Sequence, residues 1–289
     1  MIQTIKKYAS LVVLAHTLFA LPFALIAFAM AYSAVQPRSL WMLFAQVLGC
    51  MVTARNSAMS FNRYADRLID AQNQRTQGRE LPSGKLSSRA VLLFFTANVL
   101  LFLVCALSIN TLCFYLAFPA LAVLCGYSYT KRFTWLCHFV LGISLSIAPA
   151  GAYIAVTGAL SPSVAWLSAM VLLWVTGFDI LYALPDEQHD RTHRLHSIPQ
   201  RFGRKRALLL SSGLHIAVIP ILFLFGMSAC MGLTYWVAAI LFTALLAYQH
   251  LIVKPNDISK LNRAFFTTNG VASVLFAALT VIELLKIFT

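Results

Sequence analysis

The chain has 289 residues, 60% of them hydrophobic and 11% charged, with a mean hydropathy of +0.78. A soluble domain of this composition would expose more apolar surface than it could cover, so a polytopic membrane protein is expected. The formal charge of +13 is spread over several connections between apolar runs, which argues against nucleic acid as a partner and points to membrane topology, with attraction to anionic headgroups or an anionic ligand second.

Runs long enough to span a bilayer, which takes ~20 residues, fall at 10–35, 39–62, 88–108, 111–127, 134–158, 163–184, 207–227, 231–251 and 265–287. The expected fold is all-α, a single domain over 1–289 with about nine transmembrane helices; the fourth run is short for a full span. Lys6 and Lys7 before the first run imitate a secretory signal, but the run is too long for one and reads as a span. Pro22, Pro119, Pro149 and Pro220 fall inside spans and mark kinks. Twenty of the 22 Lys and Arg lie on one side of this arrangement, with only Arg38 and Lys286 opposite. Positive residues are retained in the cytoplasm, so the N-terminus and the connections after the second and sixth spans are expected there, at the inner membrane in a bacterium. The six cysteines show no CxxC spacing and read as small apolar packing residues. His189, His193 and His196 share one connection at metal-ligand spacings, but solvation is the plainer reading, with no Cys nearby to complete a familiar site.

Four of the nine acids form two i,i+4 pairs at span ends, Asp66 with Asp70 and Asp186 with Asp190. Carboxylates near a bilayer are costly unless they face a wet cavity or a cation. Side chains four residues apart on a helix stand about 5–6 Å apart, where like charges repel unless something positive lies between them. At about 100° per residue, Arg55, Asn62 and Asp66 fall within roughly 20° of one another and Asp70 about 60° away, forming one polar stripe. Arg55, deep in the second span, reads as facing a cavity and an anion; the alternative is that it snorkels or bonds a helix carbonyl. Asp179 precedes Asp186 by seven residues, the interval that also separates Arg55 from Asn62, so each loop has a polar residue two turns deeper than its acids. Pro185 loosens the helix before the second pair.

Hard magnesium ions take carboxylate and phosphate oxygens together, so paired acids with a rim of Arg and Lys fit Mg²⁺ and a diphosphate. No P-loop is present, and a greasy tail on that diphosphate would explain a site in a membrane.

The ordered motifs resemble the UbiA superfamily of intramembrane aromatic prenyltransferases. Asn62, Asp66 and Asp70 match Asn-x-x-x-Asp-x-x-x-Asp, and Asp186 and Asp190 match Asp-x-x-x-Asp. Further matches are Arg75-Thr76, Arg79-Glu80-Leu81-Pro82-Ser83-Gly84-Lys85, Tyr129-Thr130-Lys131-Arg132, Asp179-Ile180-Leu181-Tyr182-Ala183 and His196-Ser197-Ile198-Pro199. The resemblance implies a bundle around a central cavity open to the cytoplasmic side. It also implies transfer of a polyprenyl group from a polyprenyl diphosphate to the ring of an aromatic acid in ubiquinone or menaquinone biosynthesis. Mg²⁺ would be held by Asp66, Asp70, Asp186 and Asp190. Lys131, Arg132, Arg79 and Arg75 would meet diphosphate oxygens, and Phe61, Tyr64, Tyr129 and Tyr182 an allylic cation. Arg55 is the candidate for the acceptor carboxylate, and Asp179 for orienting a phenol or taking the ring proton. Where many 4-hydroxybenzoate enzymes have Asp, Arg63 follows Asn62; together with the Arg79-Glu80-Leu81-Pro82 and His196-Ser197-Ile198-Pro199 segments this resembles the quinone branch that includes prenylation of dihydroxynaphthoate, so that acceptor is the alternative. A secondary transporter for a divalent ion or phosphorylated lipid is the rival from another class. A membrane scaffold would give no reason for the acid placement.

Overall fold

The structure, a computed structural model, describes residues 2–12, 19–35 and 39–287. The helices in chain order are α1 (Ile2–Leu11), α2 (Leu21–Val35), α3 (Leu40–Ala65), α4 (Arg67–Gln72), α5 (Ser88–Ile109), α6 (Thr111–Thr130), α7 (Cys137–Thr157), α8 (Pro162–Tyr182), α9 (Glu187–Thr192), α10 (Ile198–Ser228), α11 (Leu233–Ile252) and α12 (Asn269–Ile287). Among the described residues, seven helices are long and apolar enough to cross a membrane, and α2 is a shorter apolar helix. The second expected span, 39–62, falls on the 26-residue α3, ~39 Å long, which is not one of those seven. The first, 10–35, falls partly on the shorter α2, with residues 13–18 and the predicted outlier Arg38 outside the described residues.

Local signals explain the boundaries. Ser87 and Ser161 cap α5 and α8 by accepting from the amides of Ala90 and Val164, and Pro162 occupies the first position of α8, where its missing N–H costs nothing. Gly158, at φ 73°, ends α7 in a conformation a side chain would oppose. The α5–α6 corner is made by Asn110, whose Oδ1 accepts from the Cys113 amide at 2.8 Å. The largest interruption falls at Gly203 (φ 76°, ψ 163°), inside α10, rather than at a proline.

The chain divides into two compact units, Met1–Thr17 with Trp41–Tyr129, and Leu18–Leu40 with Thr130–Thr289. In the first, α3 and α5 are tied by Asn56 Nδ2 donating to Asn98 Oδ1 at 3.0 Å and by Gln46 Nε2 donating to the Ser108 carbonyl at 2.9 Å. Cys50 and Cys113 pack on the Phe102–Ala106–Ala117 cluster, the apolar role expected of them. In the second, α8 packs on α7 and α10, while α2 packs on α7 and α12. Trp174 is fully buried at its centre among Phe19, Phe23, Phe178 and Phe242.

Close helix approach in this unit depends on glycine, as in membrane bundles generally. A Cβ on Gly142 would stand 2.4 Å from Thr176 Oγ1 and 2.6 Å from the Leu172 carbonyl, and one on Gly177 would stand 2.3 Å from His215 Nε2. The space beside Gly177 admits a buried polar chain. His215 Nε2 faces the Trp174 carbonyl at 3.1 Å, and His215 Nδ1 faces His250 Nε2 at 2.8 Å. Asn269 donates to Gln249 Oε1 at 3.1 Å and accepts from Trp174 Nε1 at 2.9 Å. Each polar group has a partner, the condition for keeping it inside a membrane bundle.

Candidate active site

In the first unit, α3 delivers Asn62 and Asp66 on consecutive turns. The helix opens at Asp66 (φ −93°, ψ 3°) and restarts as α4. The backbone ladder nevertheless passes through, from the Asp66 amide to the Asn62 carbonyl at 2.9 Å and from the Asp70 amide to the Asp66 carbonyl at 2.8 Å. The expected stripe is therefore kept in register across a break. Asp66 and Asp70 are buried, 2% and 4% exposed. Asn62 Nδ2 donates to Asp66 Oδ2 at 3.3 Å and lies 3.4 Å from Ser128 Oγ on α6. Beside Ser128, Tyr129 meets the Phe61 ring edge-on at 5.8 Å. Arg67 lies over the Tyr64 ring at 4.3 Å.

Asp70 has a different partner. Nη1 of Arg79 stands 2.7 and 2.8 Å from its two oxygens. The 73–87 connection brings that guanidinium round through successive turns: the Asn73 side chain accepts from the Arg75 amide at 2.9 Å, Thr76 Oγ1 donates to the Asp70 carbonyl at 3.0 Å, and Gly84 takes φ 72°. The connection is anchored to α1, where Ser10 donates to the buried Glu80 and Lys7 Nζ to the Lys85 carbonyl at 3.2 Å. Arg75 is exposed. Two turns before Asn62, Arg55 donates from Nη2 to the Val12 carbonyl at 3.1 Å, the carbonyl contact weighed as the alternative for this residue. Arg63 also turns to the N-terminal segment, its Nε donating to the Leu11 carbonyl at 3.5 Å.

In the second unit, α8 ends at Tyr182, a 3₁₀ turn over Leu184–Asp186 carries Pro185, and α9 follows. Pro185 thus separates the second acidic pair from the span. Asp190 accepts from Ser197 Oγ at 2.7 Å on Oδ2. Burial raises the Asp190 carboxyl above its usual range and Asp186 adds to this, while the Ser197 hydrogen bond, Lys131 and His189 oppose it. Glu187, next to the motif, pairs instead with Arg191 at 3.3 Å and Arg204 at 3.1 Å. Tyr182 stacks on Phe265 with centroids 4.0 Å apart. Lys131 is half-buried and Arg132 exposed; the Lys131 carbonyl accepts from the His196 amide at 2.7 Å. Asp179 Oδ2 lies 2.7 Å from His138 Nδ1.

Within the first unit the structure therefore joins Asn62 to Asp66 and Asp70 to Arg79. Within the second it sets Lys131 near Asp190. His138, Ser197 and Ser128 were not singled out by sequence reasoning. Ser197 sits in a quoted motif, and a histidine in an apolar span is itself a signal. Among the described residues no group of three or more His, Cys, Asp or Glu could hold a metal ion. His189 and His193 stack at 4.0 Å, and burial foremost, then His193, lowers the His189 imidazole. Each Asp pair offers two hard carboxylates, the donor type that suits magnesium, which completes its shell with waters and phosphate oxygens.

The UbiA prenyltransferase family model matches residues 20–271. A relative from Aeromonas hydrophila, 4-hydroxybenzoate octaprenyltransferase, is 32% identical over 243 residues, 84% of each chain. The apo structure of a UbiA homologue from Aeropyrum pernix K1 superposes with a TM-score of 0.82 at 28% identity, covering 93% of this chain and 98% of that one. A UbiA homologue from Archaeoglobus fulgidus, solved with GPP and Mg²⁺, shares the fold with a TM-score of 0.74 at 20% identity, covering 96% of this chain and 99% of that one. The motif order, the helical membrane architecture and the extent of these matches set the transporter and scaffold readings aside: this chain is a multi-pass membrane enzyme that belongs to the UbiA prenyltransferase family.

Proposed function

We propose that the enzyme transfers a polyprenyl group from a polyprenyl diphosphate to the ring of 4-hydroxybenzoate, with Mg²⁺, in quinone biosynthesis. The observation that carries the acceptor is the 32% identity, over 84% of each chain, to a protein bearing that name. A dihydroxynaphthoate acceptor, suggested by Arg63 and the Arg79-Glu80-Leu81-Pro82 and His196-Ser197-Ile198-Pro199 segments, is the second reading. The Arg63 side chain is buried and bonded to the Leu11 carbonyl.

Asp66 with Asp70, and Asp186 with Asp190, are the residues that would hold magnesium, which supplies electrostatic stabilisation of the leaving diphosphate. Lys131, Arg132, Arg75 and Arg79 bind diphosphate oxygens. The donor's C–O bond breaks with its electron pair leaving on the diphosphate, and the aromatic faces of Tyr129, Tyr182, Phe61 and Tyr64 are candidates to stabilise the allylic cation. Arg55 donates from Nη2 to the Val12 carbonyl, and its guanidinium remains the candidate for the acceptor carboxylate. Asp179 takes the ring proton. The same reading has the N-terminus and both acid-bearing connections in the cytoplasm.

Purified protein is incubated with octaprenyl diphosphate, Mg²⁺ and a panel of aromatic acids, and the products are analysed by mass. Prenylated 4-hydroxybenzoate as the main product is expected. Exclusive product from a dihydroxynaphthoate would reverse the acceptor assignment, and no Mg²⁺-dependent diphosphate release with any acid would reject the reaction.

A further inference from the structure

His138 is the second residue of α7 and is 3% exposed. Both ring nitrogens have partners: Nδ1 lies 2.7 Å from Oδ2 of Asp179 on α8, and Nε2 lies 3.3 Å from the backbone nitrogen of Ile198, the first residue of α10. A backbone amide can only donate, so Nε2 presents its lone pair and carries no proton, and the ring proton of the neutral imidazole is on Nδ1, directed at the carboxylate. The first amides of a helix have no partner within it. Here Ser197 Oγ accepts from the Gln200 amide at 3.3 Å and His138 accepts from the Ile198 amide, so the imidazole is part of the α10 cap. Its tautomer is thereby set by a group that does not titrate.

The short segment 195–198 is fixed from several sides. The Leu195 amide donates to the Asp190 carbonyl at 2.9 Å, and the His196 amide to the Lys131 carbonyl at 2.7 Å. Ser197 Oγ donates to Asp190 Oδ2 at 2.7 Å. One strap of backbone therefore sets Lys131, Asp190 and, through His138, Asp179.

We propose that His138 is a positioning residue for the transfer reaction: as a neutral Nδ1–H donor it occupies Oδ2 of Asp179 and leaves Oδ1 as the atom that receives the ring proton. This rests on the reading of Asp179 as the base. The allylic cation bonds to a ring carbon, the C–H bond at that carbon breaks, its electron pair returns to the ring and restores aromaticity, and the proton moves to Oδ1. His138 gains no proton in the step, because an Nε2–H would face the Ile198 N–H. A merely structural role, a buried bond tying α7 to α8 and α10, would lower stability without acting through Asp179.

The test compares Asp179→Asn, His138→Ala, His138→Asn, His138→Gln and the double variant His138→Ala/Asp179→Asn in the full-length protein. Turnover with octaprenyl diphosphate and 4-hydroxybenzoate is measured per folded molecule, beside the melting temperature. His138→Ala is expected to lower kcat by about 10- to 100-fold, the usual effect of removing a group that orients a reacting one, with little change in either KM. Asn carries an amide nitrogen near the place of Nδ1 and should recover most of the loss, whereas Gln reaches the place of Nε2 and should not. In the Asp179→Asn background, His138→Ala should add nothing. Equal fold-losses in both backgrounds, equal activities of the Asn and Gln variants, or a lowered melting temperature with unchanged kcat would overturn the positioning role and leave Asp179 as the base. Wild-type turnover in Asp179→Asn would overturn both.

Discussion

Arg79→Ala tests whether the Asp70 site holds cationic charge as a functional requirement. The Asp70 side chain is 5% exposed and that of Arg79 23%, with Nη1 2.7 Å from Oδ1. Removing one partner of a buried pair leaves the other charge uncompensated, at a cost of about 3–5 kcal/mol; the wetter guanidinium reduces this to ~2–3 kcal/mol. If Asp66 and Asp70 bind a divalent cation, Mg²⁺ replaces the missing charge. The variant should therefore be less stable than the parent without metal and should gain more from added Mg²⁺, because a ligand that binds the folded state stabilises it in proportion to its occupancy. Adding Asp70→Asn should restore much of the metal-free stability and remove the Mg²⁺ response. Thermal unfolding in detergent, with EDTA and across a Mg²⁺ series, reads all three. An equal Mg²⁺ response in parent and Arg79→Ala, or no recovery in the double variant, would refute the reasoning.

Asp66→Asn and Asp186→Asn should each abolish turnover in a protein that still melts cooperatively, and excess Mg²⁺ should recover little; near-normal product formation in both would remove the metal assignment. Arg55→Lys should weaken use of the aromatic acid by roughly 1–3 kcal/mol, because an ammonium cannot reproduce the two-pronged guanidinium, with the KM for the prenyl diphosphate almost unchanged; the reverse split would make Arg55 a diphosphate ligand. Single cysteines at Thr76 and His193, in a background lacking native thiols, should label from the cytoplasmic side and one at Ser161 from the opposite side; labelling of Thr76 and Ser161 positions from the same side would contradict the topology. Gly142→Ala should destabilise the second unit by about 1–3 kcal/mol, since its Cβ would stand 2.6 Å from a backbone carbonyl that cannot swing away; an unchanged melting temperature would refute this.

The spans were legible because a helix crossing lipid must be long and apolar, and that demand is written one residue after another. The acidic motifs were legible for the complementary reason, that a carboxylate at a span end needs a cause. Contacts that join distant segments left little such trace. His138 and Ile198 are bonded across a separation of 60 positions that carries no periodic signal. The motif that makes Arg79 a candidate diphosphate ligand does not show that its guanidinium also pairs with Asp70. The use of the Val12 carbonyl by Arg55 depends on where the N-terminal segment runs, which helical spacing does not show.

Seven of the nine acids divide by the kind of partner each has. Glu283 accepts from the Thr234 amide at 3.1 Å and so caps α11 from another helix, in a space that a Cβ on Gly232 would fill, 2.1 Å from Oε1. Asp257 accepts from the Ser259 amide at 3.0 Å within its own turn, and Glu187 pairs with two arginines. These are bonds that complete local structure. Asp66, Asp179 and Asp190 each receive on Oδ2 a donor from a side chain of another turn or segment: Asn62, His138 and Ser197. A neutral donor of this kind fixes a carboxylate's direction without cancelling its charge. The donor to Asp70 is a guanidinium, so the arrival of a dication there must change an existing pair.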